Sequence, residues 1–281
     1  MTIQKESTEK LQGVTETLMI TLYGRYKEQS YPDCILKDEK AVEIAEKVDY
    51  DFSKYAQEWV SQVTSVIRSR IIDNLLKKFI GLHPQATVIN LGGGLCTRFF
   101  RIDNGKINWY EVDFPEVIEL KEKLVQQSNR YHLIAGSILE PLWIEQINRN
   151  VNQPLFIIME GVCFYLSEEE NKALFTQIQT MLAPKYAPIE MVFDVMNRKT
   201  AVGTKRHDTV SKTSAEFKWG IDNSQELKTW NLGITLKDEI YFLPESIKYP
   251  QRIKPFWLKY IAFIFIPLFR NNARILQVEM N

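Results

Sequence analysis

Apolar residues recur at helical spacing through the first third of the chain, then switch to short and nearly continuous runs. Between Trp59 and Ile80, the positions Val63, Val66, Ile67, Ile71, Leu75 and Phe79 return every three or four residues, the period that keeps them on one side of a helix. Leu11 to Tyr26 carries a mixed helical signal. From Thr87 the texture changes: each apolar run is closed by a small or acidic residue and followed by a polar, helix-compatible stretch, a β-α-β rhythm. The runs predict strands at Thr87 to Leu91, Ile107 to Asp113, Tyr131 to Ala135, Leu155 to Glu160 and Ile189 to Val195, with weaker ones at Ile234 to Phe242 and Arg274 to Met280. PLFIIME and IEMVFDV are apolar nearly throughout, as strands buried on both faces by helices are, so a mostly parallel sheet is expected. Ser167 followed three residues later by Glu170 has the form of a capping box, which starts a helix running to Leu182 between the fourth and fifth strands.

Two stretches break this rhythm. Met196 to Lys218 is polar and locally basic, with Arg198, Lys199, Lys205, Arg206 and Lys212 against Asp208 and Glu216, and reads as a surface insertion after the fifth strand. Tyr260 to Phe269 is apolar but contains Pro267 and is far shorter than the roughly 18 residues a spanning helix needs, so no transmembrane segment is expected. The chain of 281 residues is within reach of one α/β core with insertions. We expect one domain: a helical N-terminal cap over 1–85, a ligand-binding core over 86–195, and an insertion with C-terminal strands over 196–281.

Charge and rare residues exclude several functions. Lys+Arg and Asp+Glu both total 35, so no net field draws the chain to nucleic acid. Cys34, Cys96 and Cys163 are odd in number and far apart, which argues against a disulfide framework and for a reducing cytoplasm. His83, His132 and His207 have no helix-face spacing, and no metal is expected. The start, MTIQKESTEK, lacks the apolar core of a secretory signal.

Candidate chemistry collects at predicted strand ends. Leu91-Gly92-Gly93-Gly94-Leu95-Cys96-Thr97-Arg98 places a glycine turn where strand hands over to helix, letting a ligand approach the backbone. The third glycine of the dinucleotide fingerprint is here Thr97, which weakens a pyrophosphate reading and favours a phosphate-free nucleoside. Asp113, 21 residues beyond Gly92, ends the second strand and can accept hydrogen bonds from both ribose hydroxyls; the alternative is a cap for a helix beginning near Pro115. Glu160 ends the fourth strand beside Gly161 and can hold a cationic amino group, the alternative being a solvated strand end.

Taken together, LGGGLCTRFFRI, WYEVDFPEVIELK and MEGVCFYLSEEE resemble the leucine carboxyl methyltransferase family, including its bacterial polyketide O-methyltransferase branch. TETLMITLYGRYKEQSYPD, VIRSRIID and FKWGID extend the likeness from about Thr15 to the C-terminus. The resemblance implies a class I, Rossmann-like methyltransferase fold, α/β with a mostly parallel seven-stranded sheet, N-terminal helices and a lid insertion. It implies S-adenosylmethionine (AdoMet) as cofactor. Arg68 would pair with the AdoMet carboxylate, Gly92 and Gly94 would meet the cofactor through backbone, Asp113 would take the ribose, Glu160 would lie near the amino end, and Arg25 would close over the cofactor. The sequence departs from the family's pattern at Cys96, where an Asp is usual, and at Ser137-Ile138, where an Asp-Leu pair is usual; Ser137 and the Ile138 N–H are then left to meet the adenine.

Transfer of a methyl group by direct displacement rests on alignment in a dry pocket. The implied activity is O-methylation of a hydroxyl or carboxyl oxygen on a small polyketide-like or peptide-like acceptor, with Tyr165, Asp194 and His207 the groups to inspect for acid-base work. The basic Lys205-Arg206-His207 segment would attract an acidic acceptor or simply be solvated, and Phe256 to Phe269 would line or cover the acceptor pocket, shallow membrane contact being a lesser alternative. Two other readings stay open: a nicotinamide-dependent oxidoreductase and a non-catalytic AdoMet-binding protein.

Overall fold

Seven strands form one sheet in the computed structural model, which describes residues 5–147 and 153–280; the first residues of the MTIQKESTEK segment and the Arg206 side chain of the basic cluster lie outside the described part. The strands are β1 (Thr87–Leu91), β2 (Asn108–Asp113), β3 (Tyr131–Ala135), β4 (Gln153–Met159), β5 (Tyr186–Met196), β6 (Ile234–Ile240) and β7 (Ala273–Met280), in spatial order β3-β2-β1-β4-β5-β7-β6. β1 to β5 are parallel, and β7 inserts antiparallel between β5 and β6.

The parallel strands alternate between two buried faces, which is why their sequences read as unbroken apolar runs. In β4, Phe156 and Ile158 face a core shared with Val63, Val66 and Ile67 of the long helix Trp59–Leu82, while Leu155, Ile157 and Met159 face a second core with Leu174, Phe175 and Ile178 of the helix Glu168–Met181. That second helix begins with the expected capping box: the Glu170 N–H donates to Ser167 Oγ at 3.2 Å, and the Ser167 N–H donates to Glu170 Oε2 at 2.7 Å.

Element ends differ from the sequence expectations by a few residues. β4 stops at Met159, because Gly161 turns away with φ +74° and releases Glu160 from the ladder. β5 starts earlier than expected, since Tyr186 finds Gln153 as a partner, and β6 stops at Ile240, its last residue opposite β7. Numbering the α-helices from the N-terminus, α1 (Leu18–Glu28), α2 (Glu39–Lys47) and α3 (Trp59–Leu82) precede the sheet, and α1 packs along α3.

The insertion after β5 is a short helix, Arg198–Ala201, followed by tight helical turns. It is pinned to α3, where the Ser61 N–H donates to Asp208 Oδ2 at 3.1 Å. Several of its cations have partners: Arg198 pairs with Asp222 and Glu226, and Lys212 with Glu58. Part of the basic character expected from sequence is therefore neutralised locally. No helix among the described residues is long and apolar enough to cross a membrane.

Candidate active site

At the carboxyl ends of β1, β2 and β4, where chain connections diverge to opposite sides of β1, the sheet opens into a cleft of about 510 Å³. Arg25, Arg68, Gly92, Gly94, Asp113, Ser137, Ile138, Glu160, Tyr165, Asp194 and His207 all line it. These residues come from α1, α3, the strands β2 and β5, the loops after β1, β3 and β4, and the insertion, so only the fold brings them together. The Phe256 to Phe269 stretch is a correction: it does not line the cleft, whose nearest walls on that side are Phe242, Leu243, Asn272 and Ala273.

The glycine turn forms a floor on which no side chain fits. Gly92 and Gly94 have φ of +65° and +50°, and a Cβ on Gly92 would lie 2.5 Å from Val162 Cγ2. Asp113 fastens the turn: its carboxylate accepts the Gly94 N–H at 2.6 Å and the Phe114 N–H at 2.8 Å. The helix that follows, Pro115–Leu124, has Phe114 as its N-cap and no side-chain cap, so Asp113 does not play the capping role considered from sequence. Burial pushes the Asp113 carboxyl up to about 6, and the Gly94 and Phe114 N–H groups pull against that rise.

Below the turn lies a buried ion pair that sequence reasoning missed. Lys121 contacts Glu111 and donates to Gly94 O at 2.7 Å, while Trp109 Nε1 and the Tyr131 hydroxyl donate to the other Glu111 oxygen at 3.0 and 3.2 Å. Behind the turn, Arg25 donates to Leu95 O at 2.8 Å and lies 3.1 Å from Asp38 Oδ2. Asp38 also accepts from Thr97 Oγ1 at 2.6 Å and Arg101 Nη1 at 2.7 Å, so a hydroxyl at the position of the third fingerprint glycine is an anchor.

Glu160 is far from a solvated strand end. It accepts from Arg68 Nε at 3.0 Å, from Ser69 Oγ at 2.8 Å and from Arg98 Nη2. Burial would raise this carboxyl, yet the Arg98 and Arg68 guanidiniums outweigh it and hold Glu160 well below the usual carboxylate range. Arg68 Nη1 also donates to Asp194 Oδ2 at 2.8 Å, and Asp194 Oδ1 accepts the Gly161 N–H at 2.6 Å. Burial pushes Asp194 upward against the pull of Arg68. Arg98, fully buried, bridges Glu160 to Asp73, whose Oδ1 lies 2.6 Å from Arg98 Nε. Arg98 and Arg101, spaced to share one helix side in RFFRI, were a local signal of such a network; their carboxylate partners come from distant segments.

The remaining walls are softer. Gly136 N donates to Asp113 O at 2.8 Å, which sets the loop carrying Ser137 and the buried Ile138 beside the end of β2. Tyr165, Phe164 and His207 surround Phe217, with ring centroids 5.6, 5.1 and 5.4 Å from it. Burial pushes the Tyr165 phenol up to about 12. Burial also lowers His207, with Asp208 opposing and Arg68 adding to the shift. The Val210 N–H donates to His207 Nδ1 at 3.3 Å.

Comparison with known proteins agrees with this geometry. The model of the family described as leucine carboxyl methyltransferase matches residues 19–179. The chain is 31% identical over 83% of its length, and 84% of the relative's, to the tetracenomycin polyketide synthesis O-methyltransferase TcmP of Streptomyces glaucescens. It is 24% identical, with the same coverage of each chain, to the S-adenosyl-L-methionine-dependent methyltransferase dpfgK of Gibberella zeae. Among solved structures, a DUF574 family protein from Streptomyces avermitilis has a TM-score of 0.59 at 12% identity, covering 94% of this chain and 97% of that one. Magnesium protoporphyrin IX methyltransferase from Synechocystis PCC 6803, with SAH bound, has a TM-score of 0.51 at 10% identity, covering 95% and 98%. These likenesses displace the oxidoreductase and non-catalytic readings. On its sheet order, its glycine-floored cleft and these relationships, the chain belongs to the leucine carboxyl methyltransferase family and is an AdoMet-dependent methyltransferase of the class I fold.

Proposed function

We propose that this enzyme methylates a carboxyl oxygen of a small, largely apolar acid of polyketide-like chemistry. The observation that carries the reading is that two carboxylates of the cleft wall, Glu160 and Asp194, are already spent on cations, a hydroxyl and backbone. Both Asp194 oxygens are engaged by Arg68 and Gly161, and Glu160 is engaged by Arg68, Ser69 and Arg98. Tyr165 keeps its proton at neutral pH. His207 Nδ1 is engaged within the insertion, 3.3 Å from both the Val210 nitrogen and Asp208 Oδ1. An alcohol or phenol would profit from a base in such a site, whereas a carboxylate is already ionised and needs only orientation and hydrogen bonds. The aromatic wall of Phe164, Tyr165 and Phe217 suits an apolar ring better than a charged peptide. Membership of the leucine carboxyl methyltransferase family supports a carboxyl acceptor, and the likeness to TcmP, an O-methyltransferase of polyketide synthesis, supports a polyketide-like one.

AdoMet, when bound, supplies an electrophilic methyl group on a sulfonium. The residues assigned to hold it are Asp113 for the ribose hydroxyls, Arg68 for the carboxylate, Gly92 and Gly94 through backbone, and Ser137 with the Ile138 N–H for the adenine. Glu160 and Asp194 act as positioning residues that aim Arg68, and Arg25 steadies the turn from behind. Tyr165 and His207 orient the acceptor through hydrogen bonds. In this reading residues 1–85 cap the cofactor, 86–195 bind it, and 196–281 shape the acceptor side. The TcmP likeness supports a role in secondary metabolism, and the three free thiols support a cytoplasmic setting.

The test is product chemistry. Incubation with AdoMet and a panel of aromatic acids and matching phenols should yield methyl esters, identified by mass spectrometry and lost on mild alkaline treatment. An alkali-stable methyl ether formed from the phenols, with no ester from the acids, would refute the assignment.

A further inference from the structure

The stretch 256–269, which the cleft does not use, carries most of the exposed large apolar side chains among the described residues. Phe256, Trp257, Tyr260, Phe263, Leu268 and Phe269 are each more than half exposed, while Ala262 is the segment's buried anchor. A patch of this kind marks a contact surface, because isolated apolar residues are common on proteins but a contiguous cluster is not. The segment is held against Leu243–Lys248, whose first residue lines the cleft, so the patch flanks the acceptor side.

Its charge selects the occupant. From Ser246 to Val278 the sequence contains no acidic residue. Lys259 lies over the Phe256 and Tyr260 rings at 5.0 Å, and Arg270 over Tyr241 at 5.6 Å, with Lys254 exposed at the other end. A second copy of the chain would bring this cationic rim against itself in a two-fold contact. An anionic bilayer surface complements it, and Trp, Tyr and Phe flanked by Lys and Arg match the composition of segments that lie in the headgroup region. We propose that 256–269 docks the enzyme on anionic lipid membranes, placing the acceptor side of the cleft where a lipophilic acid partitions.

Vesicle co-sedimentation of the full chain tests this with phosphatidylcholine alone and with phosphatidylcholine containing about one-third phosphatidylglycerol. The unsubstituted protein should sediment with the mixed vesicles and hardly with the neutral ones. Phe263→Ser combined with Phe269→Ser should weaken this at least tenfold, and Lys254→Glu, Lys259→Glu and Arg270→Glu together should weaken it by roughly fivefold or more for each charge. Retained binding of S-adenosylhomocysteine (AdoHcy) by these variants, whose changed residues lie outside the cleft, reports an intact fold. Absence of binding to mixed vesicles, or equal binding by the variants, overturns the proposal. A dimer seen by sedimentation velocity that the Phe263→Ser, Phe269→Ser variant dissolves, without vesicle binding, also overturns it and assigns the face to a second copy.

Discussion

Asp113 fastens the glycine turn and is the residue proposed to meet the ribose, and Asp113→Asn separates its charge from its shape. The carboxylate accepts two backbone N–H groups, at 2.6 and 2.8 Å, and each oxygen still has a lone pair for a ribose hydroxyl. An amide keeps one accepting oxygen and turns an NH2 toward a donor. Losing a hydrogen bond to a charged group costs about 1.5–3 kcal/mol, so AdoHcy affinity at pH 7.5 should fall by roughly tenfold to a hundredfold. The pH dependence is the sharper part. With its carboxyl pushed up to about 6, Asp113 is mostly ionised at pH 7.5 and protonated at pH 5, so the parent enzyme should lose affinity toward tenfold per pH unit below about 6. The sign for stability is opposite to that of a salt-bridged acid. A folded-state value raised above the unfolded one near 3.9 leaves no penalty at low pH and a penalty on the order of 2–3 kcal/mol once pH exceeds 6. Asp113→Asn removes this penalty while losing a hydrogen bond, so the unliganded variant should melt within a few degrees of the parent. Calorimetric titration of AdoHcy from pH 5 to 8, with thermal melts alongside, measures all three quantities. An affinity change below threefold, or a variant that keeps the parent's pH dependence, refutes the assignment.

Other perturbations probe the neighbouring parts. Arg68→Ala should weaken AdoHcy far more than adenosine, which lacks the carboxylate; equal losses measured by calorimetry would detach Arg68 from the amino-acid end. Gly92→Ala forces a Cβ into Val162 at φ +65°, so it should lower stability by about 1–3 kcal/mol and abolish tight AdoHcy binding, both readable in melts with and without ligand. Arg98→Ala takes one guanidinium from each of two buried carboxylates, leaving Asp73 to Arg101 and Glu160 to Arg68 and Ser69, a loss of about 3–5 kcal/mol and on the order of 10 °C in Tm. A melting temperature unchanged by Arg98→Ala would show that water satisfies those carboxylates.

Much of the fold was legible because its signals are local. The seven runs from Thr87 to Met280 became the seven strands, and Ser167 with Glu170 formed the reciprocal cap. Strand ends were less legible, since β5 begins where Tyr186 meets Gln153 and β6 ends where β7 no longer opposes it, and both depend on a neighbouring strand. The glycine turn, Asp113 and Glu160 were readable as chemistry at strand ends, but the contacts of Glu160 were not. Its guanidinium partners stand 92 and 62 residues away in sequence.

By itself, then, the sequence determined the strand and helix inventory, the glycine floor and the identities of the charged residues, because propensity, periodicity and capping act over a few residues. Tertiary structure alone decided which charges are spent on one another and which apolar stretch stays outside. Pairing of this kind depends on distances set by the whole sheet, and burial on what else competes for the same face. Neither quantity has a local counterpart in the order of residues.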